Sequence, residues 1–319
     1  MRGRIVRRKF IFMWASILRK AKRITFYGFD GMPLYNVMVF FWRSIVDGSL
    51  TARASAITFS FFMALFPAII FLFTLIPYIP IDNFQDELFL LIKDMVPATA
   101  FLAIEETVQD ILTQQRGDLL SLGFFMALIF ATNGLASMMS GFDTSLHTFE
   151  RRTWLSQYLI ALLLLVILSV LITLAIGLIT TGQYLINYLA ANGYLKDHFI
   201  IYTLSVAKWL VILFLFFMAN SFLYYLAPAK KTKWRFISAG STLSTVLCVL
   251  TFVGFSYYIN HFGRYNKLYG SIGTLLVIML LMYLLSLILL VGFELNASIN
   301  EAVKHSQRTT LRNNKVGPV

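Results

Sequence analysis

The chain has 319 residues, of which 58% are hydrophobic and only 13% charged, with a formal net charge of +12. A soluble domain carries about 25% charged residues, so an ordinary soluble fold is excluded and lipid is the expected solvent. The positive charges lie between apolar segments and form no single basic stripe with stacking aromatics, which excludes nucleic acid as the expected partner.

At the N-terminus, Arg7, Arg8 and Lys9 precede an apolar stretch over 10–18, which Arg19, Lys20, Lys22 and Arg23 follow. No small-residue cleavage site is present, so this is not a signal peptide; an interfacial basic helix fits it. A second amphipathic segment over 34–46 leads along the inner interface towards the first span.

Six apolar stretches, 54–79, 119–140, 155–180, 200–227, 236–258 and 270–298, are long enough to cross a hydrocarbon layer of about 30 Å, which takes about 20 helical residues. The only cysteine, Cys248, sits inside the fifth, so intrachain disulfides and cysteine-based metal sites are excluded. Between the first two spans, the connection 80–118 holds eight of the fifteen acids, including Asp86, Glu87, Glu105, Glu106 and Asp110. Leu88, Leu91 and Ile92, then Ile104, Val108 and Ile111, recur there at helical spacing, which predicts one or two amphipathic helices on the outer surface.

Positive charge in short segments stays on the cytoplasmic side of a membrane. Residues 1–53 hold 11 Lys and Arg, the loop at Arg151 and Arg152 holds 2, the loop 230–235 holds 4 and the C-terminal tail holds 4, whereas the alternate loops share 5. The predicted fold is therefore all-α and polytopic: about six transmembrane helices with cytoplasmic N- and C-termini, plus interfacial amphipathic helices. Its parts are a basic N-terminal segment 1–53, a transmembrane domain 54–299 with the acidic external loop 80–118, and a cytoplasmic tail 300–319.

Several polar or helix-breaking residues stand out within the spans. Pro67 lies midway through the first, where it removes a backbone hydrogen bond; the freed carbonyl either lines a substrate path or marks a packing kink. Asn133, Ser137, Ser140 and Thr144 fall on nearly one stripe of the second span at about 100° per residue. That stripe either lines a cavity or, with Gly134 and Gly141, joins close helices. Glu294 shares a face of the sixth span with Tyr283, and an intramembrane carboxylate is a functional candidate by default. With the sixth span running inward, Arg53 at the start of the first span sits at the same depth, so an Arg53–Glu294 pair is expected as a structural clamp. Lys208 is expected to snorkel towards the outer interface beside Trp209. The segment 265–273 reads as a tight loop-to-helix connection ahead of the last span.

Two segments also resemble a known family. In "ASAITFSFFMALFPAIIFL", Ala54, Ser55, Ala56, Phe59 and Pro67 match the first span of the YihY/BrkB family of bacterial inner-membrane proteins, once labelled ribonuclease BN-like. In "YGSIGTLLVIMLLMYLLSLILLVGFELNASI", Tyr269, Gly270, Ser271, Gly273, Tyr283, Gly292, Glu294, Leu295, Asn296 and Ala297 match its last span. Gly134, the run 149–154, Pro228, Trp234, Arg235 and Gly240 keep the family's order between them, so that the resemblance covers roughly 42–299. It implies six helices with cytoplasmic termini, and roles in transport or envelope lipid traffic. Where the family has an Asn-Arg pair at the end of the second span, this chain has Asp143 and Thr144.

A ribonuclease or other hydrolase needs a metal cluster or a nucleophile with its base. His147, His198, His261 and His305 lie in separate segments without ligand spacing, and no Gly-rich phosphate loop occurs. No catalytic, cofactor-binding or metal-binding residue is therefore expected, and enzyme is the least favoured class. The leading expectation is an inner-membrane transporter or lipid translocase, with Arg53, Pro67, Asn133, Ser137, Ser140, Tyr283 and Glu294 as pathway or structural residues. The alternative is a membrane scaffold that recruits envelope protein partners. Membrane lipids are expected partners in either case, with anionic lipid at the basic N-terminus.

Overall fold

A computed structural model describes residues 25, 28–47, 49–78, 84–95, 98–145, 152–192, 198–229, 237–261 and 265–315. The expected basic helix over 10–18 lies outside them. The described residues form helices and no strands, as a chain in lipid must if each backbone N–H and C=O is to be satisfied within its own segment.

In chain order the helices are α1 Leu34–Asp47, α2 Leu50–Leu75, α3 Phe84–Met95, α4 Ala98–Thr113, α5 Gly117–Ser145, α6 Trp154–Ala191, α7 His198–Leu226, α8 Ala239–His261 and α9 Tyr265–Lys315, with a 3-10 turn at Ile76–Tyr78. Six of them, α2 and α5 to α9, are long and apolar enough to cross a membrane. The amphipathic segments expected at 34–46 and within 80–118 are α1, α3 and α4.

The helices differ from the expected spans mainly at their ends. α2 begins at Leu50 rather than residue 54, which places Arg53 inside its first turn. α9 starts at Tyr265, so the segment expected to be a loop is already helical; Gly costs a helix only about 1 kcal/mol, and the neighbouring Leu and Ile propagate it. The same helix continues past residue 298 to Lys315. Glu301, Ala302, Lys304, Gln307 and Arg308 are good helix formers, and Ile299 and Ala302 are buried against α1.

Small residues set the packing. α2 and α5 run antiparallel, and a Cβ added at Gly123 would lie 3.0 Å from the Phe71 backbone, while one at Gly134 would lie 2.9 Å from the Phe61 ring. Glycine thus lets two apolar helices approach where lipid offers no hydrophobic drive for association. The main core collects Ile57, Leu135, Met139, Phe142, Leu164, Leu290 and Phe293. Phe142 stacks on Phe293 with centroids 4.3 Å apart, and Tyr224 meets Phe142 edge-on at 5.6 Å. A second cluster joins Phe29 and Val37 to Leu295, Ile299 and Ala302, and fixes α1 to the extension of α9.

Candidate functional site

Glu294 is fully buried, and its carboxylate gathers donors from three other helices. Oε1 accepts from Arg53 Nη2 at 2.7 Å and from the Ser145 hydroxyl at 2.6 Å, and Oε2 accepts from the Ser44 hydroxyl. Arg53, with a side chain only 9% exposed, also donates through Nη1 to the Gly141 carbonyl at 2.8 Å and to Ser145 Oγ at 2.6 Å. Its Nε is buried and has no hydrogen-bond partner among the described residues. An isolated carboxylate in this position would cost several kcal/mol, and here a cation and two hydroxyls offset that cost. The cluster joins α1, α2, α5 and α9 at one end of the bundle.

Beside it, α7, α8 and α9 meet at a glycine contact. A Cβ on Gly240 would collide with the Gly292 carbonyl oxygen, and one on Gly292 would lie 2.5 Å from the Tyr224 hydroxyl. Tyr224 donates to the Leu289 carbonyl at 2.7 Å. Asn296 caps α8, because its Oδ1 accepts from the Gly240 N–H at 2.8 Å and its Nδ2 donates to Ser238 Oγ at 3.0 Å. Asn220 donates to Thr245 at 2.9 Å and ties α7 to α8.

The end of α7 is held from the other side. Arg152 donates to the carbonyls of Leu226, Ala227 and Pro228, the shortest at 2.6 Å, and so satisfies acceptors that a helix C-terminus leaves open. Burial lowers the Arg152 pKa and the nearby Asp143 carboxylate opposes this; a guanidinium stays charged through such a change. Asp143 itself accepts from the Ala229 N–H at 2.7 Å. The carboxylate at the position where the family resemblance led to an Asn thus serves as a helix-end acceptor.

The polar stripe of α5 divides its contacts. Gly134 and Gly141 face inward, whereas Asn133, Ser140 and Thr144 are exposed and Ser137 half-buried. On α6, Tyr158 donates to Asn133 Oδ1 at 2.8 Å, and Gln157 donates to Ser140 Oγ at 3.0 Å and to the Ala136 carbonyl at 3.1 Å. Among the described residues nothing accepts from Asn133 Nδ2. The glycines serve helix contact, and the polar side chains form an open seam between α5 and α6.

Pro67 is half-buried, and α2 continues through it to Leu75. Tyr283, about three turns before Glu294 on the same face of α9, packs half-buried on the main core. Lys208 is buried: its stem lies over Gly182, whose absent side chain leaves room for it, with the ammonium 5.7 Å from the Trp209 ring centroid. Of the expected site residues, the fold unites Arg53 with Glu294 and leaves Asn133, Ser137 and Ser140 as a separate group. Sequence reasoning missed Ser44, Ser145, Arg152, Gln157 and Tyr158. Ser145 lies one turn after Gly141, a spacing that could have placed it beside Arg53; the others carry no signal of their own. Among the described residues no three His, Cys, Asp or Glu side chains come together as a metal site.

Six helices long and apolar enough to cross a membrane define a multi-pass helical membrane protein. A family profile described as virulence factor BrkB matches residues 41–316, and the chain belongs to that family. It is similar to YfkH, a ribonuclease-like protein of Bacillus subtilis strain 168, at 28% identity over 79% of this chain and 91% of the relative. A UPF0761 membrane protein of Haemophilus influenzae is 22% identical over 85% of this chain and 97% of its own length. A UPF0761 membrane protein of Tolumonas auensis is likewise 22% identical, over 82% and 84%. No solved structure matches the chain.

Proposed function

We propose that the chain is a transporter or lipid translocase of the bacterial inner membrane, with both termini in the cytoplasm. The observation that carries this reading is the exposed polar seam between α5 and α6. Asn133 lies 12 residues before the end of α5 at Ser145, about 18 Å along the axis at about 1.5 Å per residue. An amide with an uncovered donor at such a position is costly in hydrocarbon unless water, protein or a polar ligand meets it.

A seam of this kind, open sideways and bordered by apolar side chains, suits an amphiphile. The head group follows Asn133, Ser137 and Ser140 while the tail stays in lipid. The concentration of Lys and Arg in the N-terminal segment, the loops at 151–152 and 230–235 and the tail supports the orientation. The Arg53–Glu294 cluster then closes the cytoplasmic end.

Purification in native lipid, followed by mass spectrometry of what remains bound, tests this reading. It predicts enrichment of one amphiphile over the bulk membrane, reduced in Asn133→Leu. A bound profile equal to the bulk lipid contradicts it and favours a scaffold.

A further inference from the structure

α1 has three faces. At about 100° per residue, Val37, Phe41 and Ser44 share one, and this face meets the protein: Val37 is fully buried with Leu295, Ile299 and Ala302 of α9, and Ser44 donates to Glu294. Asn36 and Arg43 share a second, exposed and polar. Met38, Val39, Trp42 and Val46 share the third, which is apolar and exposed.

The apolar face is as open as the outer surface of the spans. Trp42 is 69% and Val46 64% exposed, against 61% for Phe59 on α2. Only Gly48 and Ser49 separate α1 from α2, a link that reaches about 7 Å at about 3.5 Å per residue. Ser49 turns in the left-handed region with φ 46°, and Val37 pins the helix to α9, so α1 stays beside the end of the first span. Its apolar face therefore lies next to the lipid-facing side of α2.

A helix with one side on protein, one apolar and one polar has the partition of a segment lying in a phase boundary, with apolar residues towards the acyl chains and charged ones towards water. We infer that α1 is a strap seated in the membrane surface, with Met38, Val39, Trp42 and Val46 among lipid acyl chains just below the head groups. A second copy or a soluble partner on this face would also have to cover the adjoining Asn36 and Arg43, whereas lipid leaves them hydrated. The seat is independent of any transport activity.

The test uses the full chain with Trp14, Trp154, Trp209 and Trp234 replaced by Phe, leaving Trp42 as the only tryptophan, reconstituted in phosphatidylcholine vesicles. Bromine atoms are placed either near the head-group end or near the tip of the acyl chains. A blue-shifted emission that loses most of its intensity to the shallow bromines, and less to the deep ones, is expected. Emission unaffected by bromine but quenched by aqueous iodide overturns the seat, and so does a blue-shifted emission that neither agent quenches, which means a protein covers the face. If the four-Phe variant does not fold, Trp42→Phe in the otherwise native chain reads the same quantity by difference: Trp154 and Trp209 are exposed as well, so shallow-bromine quenching must fall relative to the parent chain, and quenching equal to the parent's overturns the inference.

Discussion

Arg53 and Glu294 are 241 positions apart in the chain, and their side chains meet at 2.7 Å in a site where the carboxylate has no exposed surface. Pairing at this separation fixes how the first and last spans dock. Breaking a buried pair by removing one partner costs about 3–5 kcal/mol. Glu294→Ala and Arg53→Ala should each lower the thermal midpoint in detergent, and the swap Arg53→Glu with Glu294→Arg should recover part of the loss. A swap no better than either reversal alone would show that the hydroxyls, and not the pair, hold this end together.

Ser44 is the contribution of α1 to that carboxylate. Ser44→Ala leaves one buried carboxylate oxygen short of a donor, at a cost of about 1–3 kcal/mol. Amide exchange in α1 should rise in this variant while exchange in the middle of α5 stays unchanged. Equal exchange in both proteins would mean that the contact with Leu295 and Ile299 alone holds the strap.

Gly240 and Gly292 allow two backbones to touch. Alanine at either should destabilise the fold by about 1–3 kcal/mol, as overpacking does, whereas Gly177→Ala and Gly254→Ala meet nothing within 4 Å. The latter two should be neutral or stabilising by up to about 1 kcal/mol through helix propensity. Thermal midpoints of the four variants check the contrast.

Asn296 holds the first turn of α8 from outside that helix. Asn296→Ala should cost about 0.5–2 kcal/mol, the usual range for a lost cap, with faster exchange at the Gly240 amide as its signature. Slow exchange there would show that Ser238 and Ser241 cap the helix without it.

The number and order of the spans were legible because a run of about 20 apolar residues has few other uses. The Arg53–Glu294 pair was legible for a related reason: alternating helix directions bring the start of the first span and the later part of the last to one depth. What depth does not show is azimuth. Asn133 and Gly134 are neighbours in sequence, yet one faces α6 and the other packs on Phe61 of α2, and only the assembled bundle decides which. Lys208 shows the same limit, since its burial depends on a glycine in another helix at position 182. Helix ends were misjudged where a helix runs on past its apolar stretch by packing on a neighbour, as Ala302 does against α1.

The seam between α5 and α6 is tested most directly by lipid movement. The full chain is reconstituted in vesicles that carry head-group-labelled phosphatidylglycerol, phosphatidylethanolamine or a glycosyl diacylglycerol in both leaflets, and a membrane-impermeant reductant is added outside. The account predicts that at least one labelled lipid in the inner leaflet becomes reducible. It also predicts that Asn133→Leu with Ser140→Leu slows this by about tenfold, equivalent to about 1.4 kcal/mol on the barrier, while the variant stays folded, each hydrogen bond lost to Tyr158 and Gln157 costing about 1 kcal/mol of stability. Folded protein that leaves the inner-leaflet label of all three lipids protected contradicts it.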